Sequence, residues 1–157
     1  MATTLNINGQ DHIVAVEPET PLILVLRNEL ELYGAKLGCQ LEQCGACIVI
    51  ADGVPIYACT TQVGDMADQA LETIGGLAKD NGELHPIQQA FLDENAAQCG
   101  YCTAGIIMRA KVLLDSNKNP HREEICQALD GHLCRCGAQP RVIRAIERAV
   151  VEMRADP

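Results

Sequence analysis

Cysteine is the residue type in this sequence whose number and spacing point most directly to chemistry. The chain of 157 residues contains nine cysteines. Its first residues lack the basic and apolar stretches of a signal peptide, so we expect a reducing, cytoplasmic location in which disulfides are disfavoured. Thiols that are clustered and not in disulfides usually bind metal. Eight of them form two groups of four, which predicts two metal centres: Cys39, Cys44, Cys47 and Cys59, then Cys99, Cys102, Cys134 and Cys136.

The first group has the spacing C-x4-C-x2-C with a distant fourth cysteine, which is typical of a plant-type [2Fe–2S] cluster. One tight loop has to present three thiolates, while the fourth arrives from a separate strand. Gly38 and Gly45 lie beside ligands, where the backbone must bend sharply. We expect amide N–H groups of this loop to donate hydrogen bonds to the sulfurs. Zinc is the less consistent alternative, because it typically uses paired C-x2-C units.

The second group consists of Cys99-x2-Cys102 and Cys134-x-Cys136. Each pair lies at the end of a predicted helix, so two loops of a helical domain can converge on one site. Four thiolates could hold either zinc or an iron–sulfur cluster. The C-x-C pair is tighter than the usual zinc turn, but the spacing alone leaves both alternatives open.

The elements that must position these thiols change along the chain. Asn8-Gly9 and Asp52-Gly53 each predict a β-hairpin, and a short strand over 71–74 completes a small mixed sheet. Thr20-Pro21 has the residue types of an N-cap followed by a first helical position. The first half therefore predicts a sheet with one helix across it.

Apolar residues recur at helical spacing in the second half. They predict helices over 86–94, 103–115 and 121–133, and a fourth that begins at Pro140. The polar stretch 78–84 contains a glycine and is the best candidate for the boundary between the halves.

Three motifs together resemble a known family. They are Gly38–Cys47 (GCQLEQCGAC), Gln98–Thr103 (QCGYCT) and Leu133–Gly137 (LCRCG). Their order and spacing are similar to those of the iron–sulfur small subunit of the molybdenum hydroxylases, the xanthine oxidase family. The resemblance covers nearly the whole chain.

The resemblance implies an α+β fold with two cluster-binding domains. Residues 1–77 would form a ferredoxin-like β-grasp domain, residues 78–84 a linker, and residues 85–157 a four-helix bundle domain. Each domain would hold one [2Fe–2S] cluster. The outer cluster would be bound by Cys39, Cys44, Cys47 and Cys59, and the inner cluster by Cys99, Cys102, Cys134 and Cys136.

The resemblance also implies roles at the inner cluster, which would lie nearer a molybdenum cofactor bound by a large partner subunit. Gln98 matches a family glutamine that hydrogen-bonds the molybdopterin, and Cys136 matches the ligand closest to it. Electrons would pass from the molybdenum cofactor through the inner and then the outer cluster. They would leave to a flavoprotein subunit or a c-type cytochrome.

Three positions depart from the family pattern. Glu42 stands where the first loop usually has Gly, Ile48 where Thr is common, and Ala104 within a frequent Thr-Pro-Gly. A carboxylate near a cluster disfavours its reduction, so the potential of the outer cluster is the property that Glu42 could change. Cys126 matches no ligand, and we expect it to be a buried free thiol.

Composition excludes several other functions. The net charge is −9 and aromatic residues make up 3%, which argues against a nucleic-acid partner. No apolar run approaches the length of a membrane span, so a periplasmic or membrane-associated location would require a partner subunit. We find no motif for a substrate-binding active site on this chain.

The substrate is expected from resemblance alone. The run 85–91 and the motif at 98–102 are most similar to small subunits of members that act on nicotinate or isoquinoline, which implies an N-heterocyclic substrate. The alternatives are the same role in an aldehyde oxidoreductase complex and a free-standing ferredoxin-like carrier.

Overall fold

The computed structural model describes residues 2–155, and within them it contains five β-strands and five α-helices. The strands lie in the first half and the longer helices in the second, so the expected order of a sheet followed by helices is confirmed. The elements are β1 (Ala2–Ile7), β2 (Gln10–Ala15), α1 (Leu22–Leu24), β3 (Ile48–Ala51), β4 (Val54–Tyr57), β5 (Ala70–Glu72), α2 (Pro86–Asp93), α3 (Thr103–Ser116), α4 (Arg122–Ala128) and α5 (Gln139–Ala155).

The sheet has the strand order β2-β1-β5-β3-β4. β1 runs parallel to β5, with Ile7 opposite Leu71, and the other neighbouring strands are antiparallel. Both predicted hairpins are present. Their turn residues Asn8-Gly9 and Asp52-Gly53 all have positive φ angles, 53°, 78°, 46° and 80° in chain order, as this type of two-residue turn requires.

The helix of the first half is shorter and less regular than the sequence predicts. Pro21 is its N-cap, without a side-chain hydrogen bond, so the expectation that Thr20 caps it is wrong. After one turn of α1 the backbone widens into a π-helical turn over Val25–Glu29. It ends where Glu31 adopts a φ of 55°, and the Leu32 N–H then bonds the Leu26 carbonyl over 2.7 Å.

β3 is buried on both faces and joins the two halves of the molecule. Ile48 and Ile50 pack into the core formed by α2–α5. The alternate residues Val49 and Ala51 pack into the other core, with α1 and the remaining strands. Because successive side chains of a strand point to opposite faces, this short apolar strand separates and supports both cores.

The helices of the second half largely match the prediction. α2, α3 and α5 lie within one residue of their expected starts, but α4 ends at Ala128 rather than at residue 133. Tight turns replace its last residues, since the His132 N–H bonds the Leu129 carbonyl over 2.8 Å. The Leu133 N–H bonds a different segment, the Cys44 carbonyl, over 3.1 Å. That longer-range bond takes the chain out of the helix.

In the part of the chain that the structure describes, no helix combines the length and apolar character that crossing a membrane requires.

Candidate metal centres

The loop 38–47 wraps the first three cysteines of the outer group. The N–H groups of Leu41 and Gln43 each donate to Cys39 Sγ over 3.3 Å, and the Cys39 N–H donates to Cys44 Sγ over 3.4 Å. A Cβ atom at Gly38 would lie 2.6 Å from Cys44 Sγ, so the loop has no room for a side chain there. The amide donors expected from the sequence are therefore present.

Proton affinities differ within the outer group. N–H donation from Leu41 is the main cause that lowers the pKa of Cys39, to about 7. Burial is the main cause that raises the pKa of Cys47, to about 12. Only the thiolate binds metal, so iron has to displace a tightly held proton at Cys47, whereas the loop amides already favour the thiolate at Cys39.

The four cysteines of the inner group line one cavity of about 170 Å³. Cys102 is the N-cap residue of α3, and Cys134 and Cys136 lie shortly before α5 begins. Cys136 Sγ lies 3.4 Å from Cys99 Sγ. As the sequence predicts, two loops of the helical half bring two pairs of thiols to one place.

The inner group shows the same contrast in proton affinity. The N–H of Tyr101 is the main cause that lowers the pKa of Cys99, and burial is the main cause that raises the pKa of Cys102, to about 12. At Cys134 burial acts to raise the pKa, but the backbone N–H groups just before α5, with that of Ala138 first, and the Cys102 side chain outweigh it and lower the pKa.

The thiols meet two by two, and this pairing tests which metal group fits. A zinc site needs its ligands around one ion, whereas a [2Fe–2S] cluster takes two thiolates on each of two irons. The thiols influence each other's pKa most directly in four pairs, which fit the two-iron group: Cys39 with Cys44, Cys47 with Cys59, Cys99 with Cys136, and Cys102 with Cys134.

The two groups of thiols adjoin at one junction. Cys44 of the outer group also lines the inner cavity, and its carbonyl accepts the N–H of Leu133, the residue before Cys134. The Tyr101 hydroxyl donates to the Leu37 carbonyl over 2.6 Å. The loops that carry the two groups are therefore held directly against each other.

The structure also gives the exposure of three other residues that the sequence analysis singled out. Gln98 is exposed beside the exposed Cys99, and Arg135 is exposed between the C-x-C thiols. Cys126 is exposed on α4, so the expectation of a buried free thiol is wrong. Its position lies on the outward side of a short helix whose buried residue is the preceding Ile125.

Sequence reasoning missed the residues that hold the junction together. The His132 ring packs so closely on Gly45 that a Cβ there would lie 2.4 Å from it. Burial, and then Arg109, lower the pKa of His132 to about 4, so its ring is neutral. Nothing in the spacing of the four histidines could have indicated this. The contact of Tyr101 with Leu37 likewise joins residues far apart in the chain.

Two family models together account for nearly the whole chain. One, a 2Fe-2S iron-sulfur cluster binding domain, matches residues 5–76, and the other, a [2Fe-2S] binding domain, matches residues 73–147. The chain is 48% identical over 159 residues to one of the nicotinate dehydrogenase subunits of Pseudomonas putida, with all of both chains covered. It is 41% identical over 146 residues to the nicotinate dehydrogenase small FeS subunit of Eubacterium barkeri, with 93% of this chain and 92% of that one covered.

Two solved structures share the fold. Quinoline 2-oxidoreductase from Pseudomonas putida 86 aligns with a TM-score of 0.93 and 35% identity, over 99% of this chain and 97% of that one. The aldehyde oxidoreductase from Desulfovibrio gigas aligns with a TM-score of 0.92 and 36% identity, over all of this chain but only 18% of that longer one.

With two cluster-binding domains and a full-length relative at this level of identity, the chain belongs to the iron–sulfur small subunits of the molybdenum hydroxylase, or xanthine oxidase, family. It binds two [2Fe–2S] clusters, one in each matched domain.

Proposed function

We propose that this chain is the electron-transfer subunit of a heteromeric molybdenum hydroxylase. Electrons from a molybdenum cofactor on a large subunit would enter at the inner cluster, pass to the outer cluster, and leave to a flavoprotein subunit or a c-type cytochrome. When bound, each cluster accepts and passes on one electron at a time. The observation that carries the proposal is the junction, where paired thiols of both groups adjoin and the inner group reaches the surface.

The thiol pairs support the ligand sets that we propose. We assign the outer cluster to Cys39, Cys44, Cys47 and Cys59, and the inner cluster to Cys99, Cys102, Cys134 and Cys136. The amide donors on Cys39 and the N–H groups just before α5 support this assignment, because each stabilises a thiolate. Cys126 is left without a metal role.

The order from inner to outer cluster is supported by exposure. Cys99 of the inner group is exposed, whereas the most accessible thiols of the outer group, Cys39 and Cys44, are half-buried. The connection between the groups is short, since one hydrogen bond joins the ligand residue Cys44 to the residue before Cys134. The chain's own backbone thus supplies a compact link between the two sites.

A large subunit would dock where the inner group opens. Tyr101 and Leu133 line this opening and are 48% and 65% exposed, so two large side chains with apolar surface are open to a partner beside the inner thiols. Gln98 and Arg135 are exposed there too and would supply polar contacts, with Gln98 on the molybdopterin. An obligate interface of this kind buries roughly 2,000 Å² or more.

For the domain organisation we propose a β-grasp domain over 1–77, a linker over 78–84 and a four-helix domain over 85–157. The strand order, with β1 and β5 parallel at the centre, supports the first. The packing of α5 on both α2 and α4, and of α3 on α4, supports the last.

We propose an N-heterocyclic substrate, nicotinate- or isoquinoline-like, bound by the large subunit in the cytoplasm. The relatives named for nicotinate and quinoline are similar over their whole length. The likeness to the aldehyde oxidoreductase makes an aldehyde the second candidate. No substrate site is assigned to this chain.

Co-purification tests this function. A tagged chain should recover a much larger molybdenum-containing subunit with a flavoprotein or a cytochrome. The complex should then reduce an artificial dye when given nicotinate, and an aldehyde given in its place distinguishes the second candidate. A stable monomer that carries electrons without such a partner would contradict the proposal and favour a free-standing ferredoxin-like carrier.

A further inference from the structure

Glu42 lies at the tip of the outer loop in a backbone conformation that its side chain disfavours. Its φ angle is 58°, in the left-handed region that glycine adopts without cost and other residues rarely occupy. Such a conformation persists when the surroundings fix it. The residue is exposed, so burial of the side chain does not explain why it is held there.

One specific contact links its side chain to another segment of the outer site. The Thr60 hydroxyl donates a hydrogen bond to Glu42 Oε1 and also lies 3.2 Å from the Tyr57 carbonyl. Thr60 directly follows Cys59, the fourth thiol of the outer group. The bond therefore ties the tip of the three-thiol loop to the segment that brings the fourth thiol.

The same residue sits between the two amide donors of Cys39. Leu41 and Gln43 precede and follow it, and both donate to Cys39 Sγ over 3.3 Å. The backbone angles of Glu42 directly orient the Gln43 N–H, because that N–H belongs to the peptide group that follows Glu42.

The carboxylate also brings a charge that is not neutralised by a cation. Of the ion pairs among the described residues 2–155, none involves Glu42. Its hydroxyl partner is neutral. A fixed negative charge close to a site that gains an electron opposes that gain, and at an exposed position the effect is moderate.

We propose that Glu42 is a positioning residue of the outer site that acts in two separable ways: its bond to Thr60 holds the loop closed on the fourth thiol, and its charge lowers the reduction potential of the outer cluster. The inference rests on the proposed ligand set. The Glu42 carboxylate makes the outer cluster harder to reduce than it would be in the same loop with an uncharged residue at this position.

Two variants separate the two actions. Glu42→Gln removes the charge but keeps an oxygen that accepts from Thr60, whereas Thr60→Val removes the donor and keeps the charge. Asp52→Asn is the matched control. Asp52 also has a positive φ, 46°, and also accepts a hydrogen bond, from the Ala70 N–H over 3.0 Å, but it lies at the far end of β3 from Cys47.

The measurement is a redox titration of the holo complex followed by electron paramagnetic resonance, with the outer signal identified as the one lost in Cys39→Ser. Glu42→Gln should favour reduction of the outer cluster about three- to tenfold, where tenfold is about 59 mV for a one-electron couple. The inner signal should keep its potential, and Asp52→Asn should move neither.

The second readout is release of outer-cluster iron to a chelator. Thr60→Val should release it several-fold faster than the unchanged chain, while shifting the potential less than Glu42→Gln does. Glu42→Gln should keep the slow rate. If Glu42→Gln does not assemble the cluster, Glu42→Gly provides the same potential measurement without backbone strain.

An outer potential in Glu42→Gln that equals that of the unchanged chain or of Asp52→Asn would overturn the role of the charge. A normal iron-release rate in Thr60→Val would overturn the role of the bond. Both outcomes differ from a failure of the proposed function, in which the unchanged chain would be recovered without a molybdenum-containing subunit. They also differ from a failure of the ligand set, in which Cys39→Ser would leave both signals unchanged.

Discussion

Cys126 differs from the other eight thiols in its surroundings, since it lies exposed on α4 and belongs to none of the four thiol pairs. Cys102, by contrast, is paired with Cys134 and lines the inner cavity. We therefore expect Cys126→Ser to leave iron content and both paramagnetic signals unchanged, and Cys102→Ser to lose or strongly perturb the inner signal only. Loss of a cluster in Cys126→Ser would contradict the ligand assignment.

Gln98 is the residue whose proposed role depends most on the partner. Its side chain is exposed in this chain, but docking would bury it against the molybdopterin. Leaving a buried polar partner unpaired costs about 1–3 kcal/mol, so Gln98→Ala should keep both clusters and slow electron transfer from the large subunit. Rapid-mixing reduction by substrate measures this step. Unchanged transfer rates, together with unchanged binding of the large subunit, would count against the contact.

At the scale of elements, the start of α2 depends on a histidine. His85 Nδ1 accepts the Ile87 N–H over 3.3 Å, and Gln88 Oε1 accepts the His85 N–H over 3.0 Å. Burial, and then Lys111, lower the pKa of His85. Its neutral form therefore stabilises the folded state above the unfolded pKa of about 6.5, and this contribution is lost as the pH falls below that value.

We expect acidification from pH 7 to pH 5 to weaken protection of the α2 amides in the unchanged chain by more than in His85→Asn. Asparagine keeps an acceptor that does not titrate, and a helix cap is worth roughly 0.5–1 kcal/mol at such a position. Hydrogen exchange corrected for its intrinsic pH dependence measures the difference. Equal pH dependence in the two chains would show that His85 does not cap the helix as described.

The contact between α3 and the outer loop requires a residue without a side chain at position 105. A Cβ at Gly105 would lie 1.9 Å from the Gly45 carbonyl oxygen, so Gly105→Ala should force the loop away and cost about 1–3 kcal/mol, although alanine favours the helix itself. Thermal unfolding and the outer signal should both change. Gly75→Ala is the control, since its Cβ would meet its nearest atom at 3.8 Å, and an equal effect there would refute the packing argument.

At the scale of the whole molecule, the sequence predicted features that neighbouring residues encode better than contacts between residues far apart in the chain. Asn8-Gly9 and Asp52-Gly53 encode their hairpins in two residues each, and the spacing of the cysteines indicates the loops that carry them. The early end of α4 was not predictable in this way, because it follows from the bond between Leu133 and Cys44 in the other half. Helical periodicity continues through residues 129–133, but tertiary pairing overrides it.

The junction itself shows the same limit. The contacts of Tyr101 with Leu37 and of His132 with Gly45 join residues from different halves of the chain. No turn residue, cap or repeat marks them, because they exist only once both halves have folded. The exposure of Cys126 was missed for a related reason, since a short apolar pattern does not specify which side of a short helix faces the core.

The central claim is that this chain holds two [2Fe–2S] clusters on paired thiols and accepts electrons through them. The most direct test is to assay iron and acid-labile sulfide in the purified complex and to record its paramagnetic resonance after anaerobic addition of substrate. We predict about four irons and four sulfides per chain and two distinct reduced signals. Stoichiometric zinc, about two irons per chain, or a single signal would contradict it.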